Sequence, residues 1–172
     1  MFLNYIKNLF LKRILKKQLR NVKNVFFNCP VIKIGLIIDH SRFFETDALK
    51  QEIINKGIKE DNIKIILYRD NLSNKENNLQ PAFSLKDLNV TGNFTQQALN
   101  DFISDQFDLL ISYYNEEKPF LLLLTNISKA KFKTGFFTID KRLNHLLINT
   151  NLEDYKGFTN ELFKYLKILN KI

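Results

Sequence analysis

Along the chain, three short apolar runs stand out before anything else. Residues 31–39 (VIKIGLIID), 63–68 (IKIILY) and 107–113 (FDLLISY) are nearly continuous in Ile, Leu, Val and aromatic residues. Runs of this length without polar alternation predict strands buried on both faces, as in a parallel sheet. Between them the spacing changes to three and four. Residues 46–56 predict an amphipathic helix, with Thr46 as N-cap and Gly57 as its C′ residue. Residues 95–104 predict a second helix. Pro119 stands at a first helical position before 120–129, whose four consecutive leucines predict a helix covered on much of its surface. Shorter strands are predicted at 82–85, 132–137 and 145–149. A closing helix over 154–170 should bury Leu162, Tyr165, Leu166 and Leu169. The Asn-rich stretch 71–80 reads as a polar loop where a doubly wound fold usually places a helix.

Strands alternating with helices predict one α/β domain of the doubly wound, Rossmann-like kind, with about six mostly parallel strands in the order 3-2-1-4-5-6. At 172 residues, the chain is long enough to build a core without metals or disulfides. Cys29 stands alone, so no internal disulfide or cysteine-based metal cluster is expected. With no apolar stretch of membrane-spanning length and no recognisable secretory signal, the expectation is a cytoplasmic protein.

Charge changes this picture at one end. The net charge is +8, from 26 basic and 18 acidic residues. Seven basic residues fall within positions 1–24, with no acid among them, and the remaining 19 face 18 acids. Over 11–22, Leu11, Ile14, Leu15, Leu19 and Val22 form one helical stripe. Lys12, Arg13, Lys16, Lys17, Arg20 and Lys23 take the opposite side. Phe2, Leu3, Ile6, Leu9 and Phe10 are rotated away from that stripe. The chain therefore divides into a basic amphipathic arm, 1–24, and a Rossmann-like body, 25–172.

Candidate chemistry is sparse. The turn after Asp39 holds no glycine, no two of the five glycines share a loop, and no Walker sequence occurs. Conventional dinucleotide or P-loop binding is not expected, and neither is any cofactor. No metal-ligand spacing surrounds His40 or His145. By the switch-point rule a ligand would lie beyond the carboxyl ends of the strands. That edge should collect Asp39, His40, Ser41 and Arg42 after the first strand, and Tyr113, Tyr114 and Asn115 after the fourth. Asp140 and Arg142 should follow the fifth. Glu116 and Glu117 read as helix-start acids.

The segments IGLIID, GIKEDNIKIILYRD, FDLLISYY, DKRLNHLLINT and ELFKYLKILNKI resemble an uncharacterised family of small flavobacterial proteins, over about residues 31–172. That resemblance implies a bacterial cytoplasmic setting and no assigned activity. A second likeness is to the amino-terminal lobe of heptosyltransferase-type glycosyltransferases. It rests on FDLLISYYNEEKPFLLLLTNISKAKFKTGF, where Lys133, Gly135 and Phe136 fill a K-x-G-F strand. It implies a small-ligand binder or enzyme acting at the carboxyl edge.

The leading expectation is a non-enzymatic binding or adaptor domain. It would dock through its arm on an anionic surface, the inner face of the membrane, in preference to RNA. Only two of the five arginines lie in the arm, whereas Phe2, Leu3, Leu9 and Phe10 suit insertion into lipid. The alternatives are the carboxyl-edge ligand binder, an RNA- or ribosome-associated protein, and an arm that simply packs on its own domain with its lysines solvated.

Overall fold

Six parallel strands are joined side by side in the order β3-β2-β1-β4-β5-β6 in the computed structural model, which describes residues 2–19, 29–70, 81–89 and 93–172. The strands are β1 (Ile34–Asp39), β2 (Ile63–Tyr68), β3 (Ala82–Phe83), β4 (Leu109–Tyr113), β5 (Phe132–Phe136) and β6 (Leu146–Ile148). The helices are α1 (Phe2–Gln18), α2 (Thr46–Asn55), α3 (Gln97–Ser104), α4 (Pro119–Ile127) and α5 (Tyr155–Ile168). This is the expected doubly wound sheet, in the expected order. The loop at 71–80, together with Arg20, Val22 and Lys23, lies outside the described residues.

The central strands carry the core. Ile37 of β1 pairs with Ile66 of β2 and Ser112 of β4, and every residue of β1 is buried. Gly35 has its place there because a Cβ would come within 2.8 Å of the Phe107 ring. Strand β5 shows that both faces are covered. Its Phe136 meets Phe158 of α5, with ring centroids 4.9 Å apart, while Lys133 points the other way, to the end of α4.

The strand beginning predicted at residue 31 moves to Ile34. The amides of Ile32 and Lys33 donate to the Asp108 carboxylate at 3.0 and 2.9 Å, and that of Val31 donates to the Lys171 carbonyl, so these amides leave the ladder. Thr46 is buried as the first residue of α2, and Glu45 takes the N-cap position without a capping side chain. Gly57 ends that helix as expected, with φ +98°. In α5 the buried apolar residues are Phe158, Leu162, Phe163 and Leu166; Tyr165 and Leu169 face outward, which corrects the predicted stripe. Asp154 caps this helix, accepting from the Gly157 amide at 2.9 Å.

Helix α1 begins near the start of the chain rather than at residue 11 and packs against α4. Leu11, Leu15 and Leu19 are buried in the same core as the sheet, and Ile14 is partly covered. This contact explains why six successive residues of α4, Phe120 to Thr125, are all buried. One side of α4 lies on the sheet and the other lies under α1.

Candidate functional site

The carboxyl edge of the sheet is where a doubly wound fold places a ligand, at the point where strand order reverses between β1 and β4. Asp39, the last residue of β1, is 1% exposed. Its Oδ1 accepts from the Ser41 amide at 3.1 Å, and its Oδ2 lies 2.7 Å from Lys118 Nζ. Lys118 is the N-cap residue of α4, and it also reaches Asp70 beyond β2 at 2.9 Å. One ammonium group thus joins the ends of β1, β2 and the loop after β4. Partial burial works against ionisation of Asp70, but Lys118, joined by the hydroxyls of Tyr68 and Ser41, outweighs it and holds the carboxyl below its usual range. Lys118 also lies 5.1 Å from the Tyr68 ring centroid. Burial foremost, with Asp70 and Asp39 behind it, pushes the Tyr68 phenol well above its ordinary pKa.

The remaining predicted edge residues are engaged in the same closure. Ser41 Oγ accepts from the Asp70 amide at 2.8 Å, whereas His40 Nδ1 lies 3.4 Å from Thr46 Oγ1. The neighbouring Ser and His therefore serve different partners and form no nucleophile–base pair. Arg42 pairs with Glu116. Asn115 lends its carbonyl to the Thr138 hydroxyl at 2.9 Å. Arg142 Nε holds Asp140 at 2.9 Å, and the Asp140 amide donates to Glu117 at 2.9 Å. Glu116 and Glu117 thus tie loops together instead of lining the first turn of α4.

Beneath these groups the edge is filled with aromatic rings. Phe43 lies 4.7 Å from the Tyr113 ring, and Tyr113 meets Phe136 and Phe158 at 5.1 Å each. The Tyr113 hydroxyl donates to the Leu152 carbonyl at 2.7 Å. Tyr114 is wholly buried, with its hydroxyl 2.7 Å from Thr125 Oγ1. Burial raises both phenols far above their ordinary values, so neither is an acid or base near neutrality.

Sequence reading missed Lys118, although its place just before Pro119 was a usable signal. It also missed a buried polar cluster at the opposite edge. Lys133 Nζ donates to the carbonyls of Thr125 and Asn126, at 2.6 and 3.2 Å, and so satisfies the C-terminus of α4. Burial brings its pKa down to about 8. His145 accepts from the Lys133 amide at 2.9 Å and stacks on Phe132. Burial, then Lys133 and Lys171, lower the His145 pKa, keeping the ring neutral at pH 7.

The arm presents a different surface. With Leu11, Leu15 and Leu19 turned inward, Lys12, Arg13, Lys16 and Lys17 are all exposed, beside the outward-facing Leu9 and Phe10. Lys7 reaches the Leu85 carbonyl, which ties the first half of α1 to the carboxyl-edge side of the body. Among the described residues no group of three or more metal-ligating side chains occurs, and no helix is long and apolar enough to cross a membrane.

No curated protein and no solved structure matches the chain. A family model does, over residues 7–169, a span that takes in most of α1 as well as the sheet. The chain belongs to DUF6913, a family of unknown function.

Proposed function

We propose that this protein is a non-enzymatic docking domain that binds the anionic inner face of a membrane through the outward side of α1. The observation that carries the reading is the division of labour on that helix. Its leucine stripe is spent on α4, so the four exposed cations are held in a fixed array on a rigid body. Leu9 and Phe10 lie on the same outward side and are available for shallow insertion. Each basic residue close to an anionic leaflet contributes about 1 kcal/mol, so four give measurable affinity without a tight pocket. In this reading the protein is cytoplasmic and peripheral to the inner membrane.

The carboxyl edge supports this reading from the other side. A ligand at the switch point would have to displace Lys118 from two carboxylates and Phe43 from Tyr113. A transferase-lobe activity therefore has less geometric support than docking, and membership of a family of unknown function adds no chemistry to either. Co-sedimentation with phosphatidylglycerol vesicles tests the proposal. Replacing Lys12, Arg13, Lys16 and Lys17 with Glu should abolish binding and leave the far-UV circular dichroism unchanged. Retention of structured RNA by the wild-type chain, with no vesicle binding, would replace the membrane by RNA.

A further inference from the structure

The outer side of β2 is paired over part of its length. Strand β3 meets Leu67 and Tyr68, so residues 63–66 have no strand beside them among the described residues. Alternation along the strand fixes where their backbone groups point. The Leu67 amide donates outward to the Pro81 carbonyl at 3.0 Å, and the Arg69 amide to the Phe83 carbonyl at 2.7 Å. The Tyr68 carbonyl faces the other way, accepting from the His40 amide at 2.8 Å. Odd-numbered residues of β2 therefore turn their backbone groups outward. Ile65 presents both its amide and its carbonyl there. Ile63 presents its carbonyl, while its amide donates to Glu60. These three groups have no partner among the described residues. Pro81 accounts for one of them. In a parallel ladder the residue that accepts from Leu67 also donates to Ile65, and proline has no amide to give.

A groove of about 310 Å³ runs along this open stretch. Residues 63–66 and Pro81 line one side, and Ala98, Asp101 and Phe102 of α3 line the other. Ala98 is exposed and small, so a second backbone can come close to α3 there. Lys64 and Asp101 are the charged residues of the lining, and their signs are opposite. Asp105 holds Lys64 at 2.8 Å and also pairs with Lys33, so the two lysines and two aspartates balance.

We propose that this groove takes a short, extended, uncharged segment of a partner protein as an added strand of the sheet. A donor and an acceptor on one residue are matched by the backbone of a single opposing residue, which exchanges both bonds in an antiparallel pair. Residues 63–66 offer about 13 Å of edge at roughly 3.3 Å per residue, enough for a segment of about four residues. The neighbours of the opposing residue point to the same side as Lys64, against Ala98 and Phe102, and should be apolar and β-branched. An acyl chain would leave the Ile65 groups unpaired, and a nucleic acid finds no net positive charge. A second copy of this chain pairing about Ile65 would set Leu67, whose outer side β3 already holds, against Ile63 of the other copy. The site uses no residue of α1 and is independent of the membrane reading.

Titration of the full chain with the peptide acetyl-Thr-Val-Thr-Val-Thr-amide, followed by amide NMR, tests the site. Its central threonine would face Ile65 and its valines would face α3. The Ile65 amide should shift saturably at millimolar peptide and its hydrogen exchange should slow, with Lys64, Ile66 and Ala98 following. Methylating the central threonine nitrogen removes the donor to the Ile65 carbonyl and should weaken binding tenfold or more. Ala98→Arg, on an exposed helix face, should block the groove and leave the melting temperature unchanged. Pro81→Ala returns an amide that can reach the Ile65 carbonyl and should weaken binding severalfold. No saturable shift at Ile65, or equal affinity for the methylated peptide, would overturn the proposal. So would binding that survives Ala98→Arg. Vesicle binding through α1 should be the same in both variants, so the two readings fail separately.

Discussion

Lys118 Nζ stands 2.7 Å from the carboxylate of Asp39, one a helix cap and the other the last residue of the central strand. Asp39 is buried and Lys118 mostly so, and the same ammonium group reaches Asp70. Removing one partner of a buried pair leaves an uncompensated charge, at a cost of several kcal/mol. Lys118→Ala should therefore destabilise the domain by about 3 kcal/mol in denaturant unfolding. Combining Lys118→Met with Asp39→Asn should recover most of that loss. A single variant within about 0.5 kcal/mol of wild type, the range of surface substitutions, would show that the edge is not held by this pair.

The central strand supplies a plainer test of the sheet. Ile37 is fully buried between β2 and β4. Truncation to Ala should cost about 2–5 kcal/mol, through lost burial and the cavity left behind.

Helix α1 covers the leucine-rich outer side of α4, so it is part of the core as well as the charged surface. Leu15→Asp should place a carboxylate against α4 and lower Tm by many degrees. Deleting residues 1–24 should expose apolar surface, read as dye binding and aggregation. If deletion left a stable, monomeric body, the packing of α1 on α4 would contribute little.

Burial lowers the Lys133 pKa to about 8 in the folded protein, whereas an unfolded lysine titrates near 10.4. Between these values the unfolded chain binds more protons, so stability should rise from about pH 8 to pH 10. The favourable contribution is present above the unfolded value and lost as pH falls through the folded one. Tyr113 and Tyr114 act in the opposite sense. Their folded pKa values are raised, so their contribution is lost as pH climbs above about 10. Urea unfolding across this range should show the rise, and Lys133→Met should flatten it.

Much of the fold was legible in the sequence because parallel strands buried on both faces leave unbroken apolar runs, as at Ile34–Asp39 and Ile63–Tyr68. Strand ends were less legible, since Asp108 captures the amides of Ile32 and Lys33 from 75 residues away and more. Pattern alone also misjudged α5. Tyr165 and Leu169 suit an apolar stripe by spacing, yet the neighbouring α2 meets a different side of the helix. At the carboxyl edge, sequence placed Asp39, Ser41 and Arg42 correctly at strand ends. It had no means of showing that their partners would be Lys118, Asp70 and Glu116, because those pairings depend on strand order. The inward turn of the leucine stripe on α1 was one of the readings that the sequence left open, since the same amphipathic pattern serves a membrane or a neighbouring helix.

The most direct test of the docking account is the partition of the wild-type protein onto vesicles of rising phosphatidylglycerol content, repeated at low and high salt. The account predicts negligible binding to pure phosphatidylcholine and affinity that climbs steeply with the anionic fraction. It also predicts loss of most of that affinity in 0.5 M salt, where screening shortens the reach of the exposed α1 charges. Binding that ignored both lipid charge and salt, or no binding at the highest anionic fraction, would contradict it.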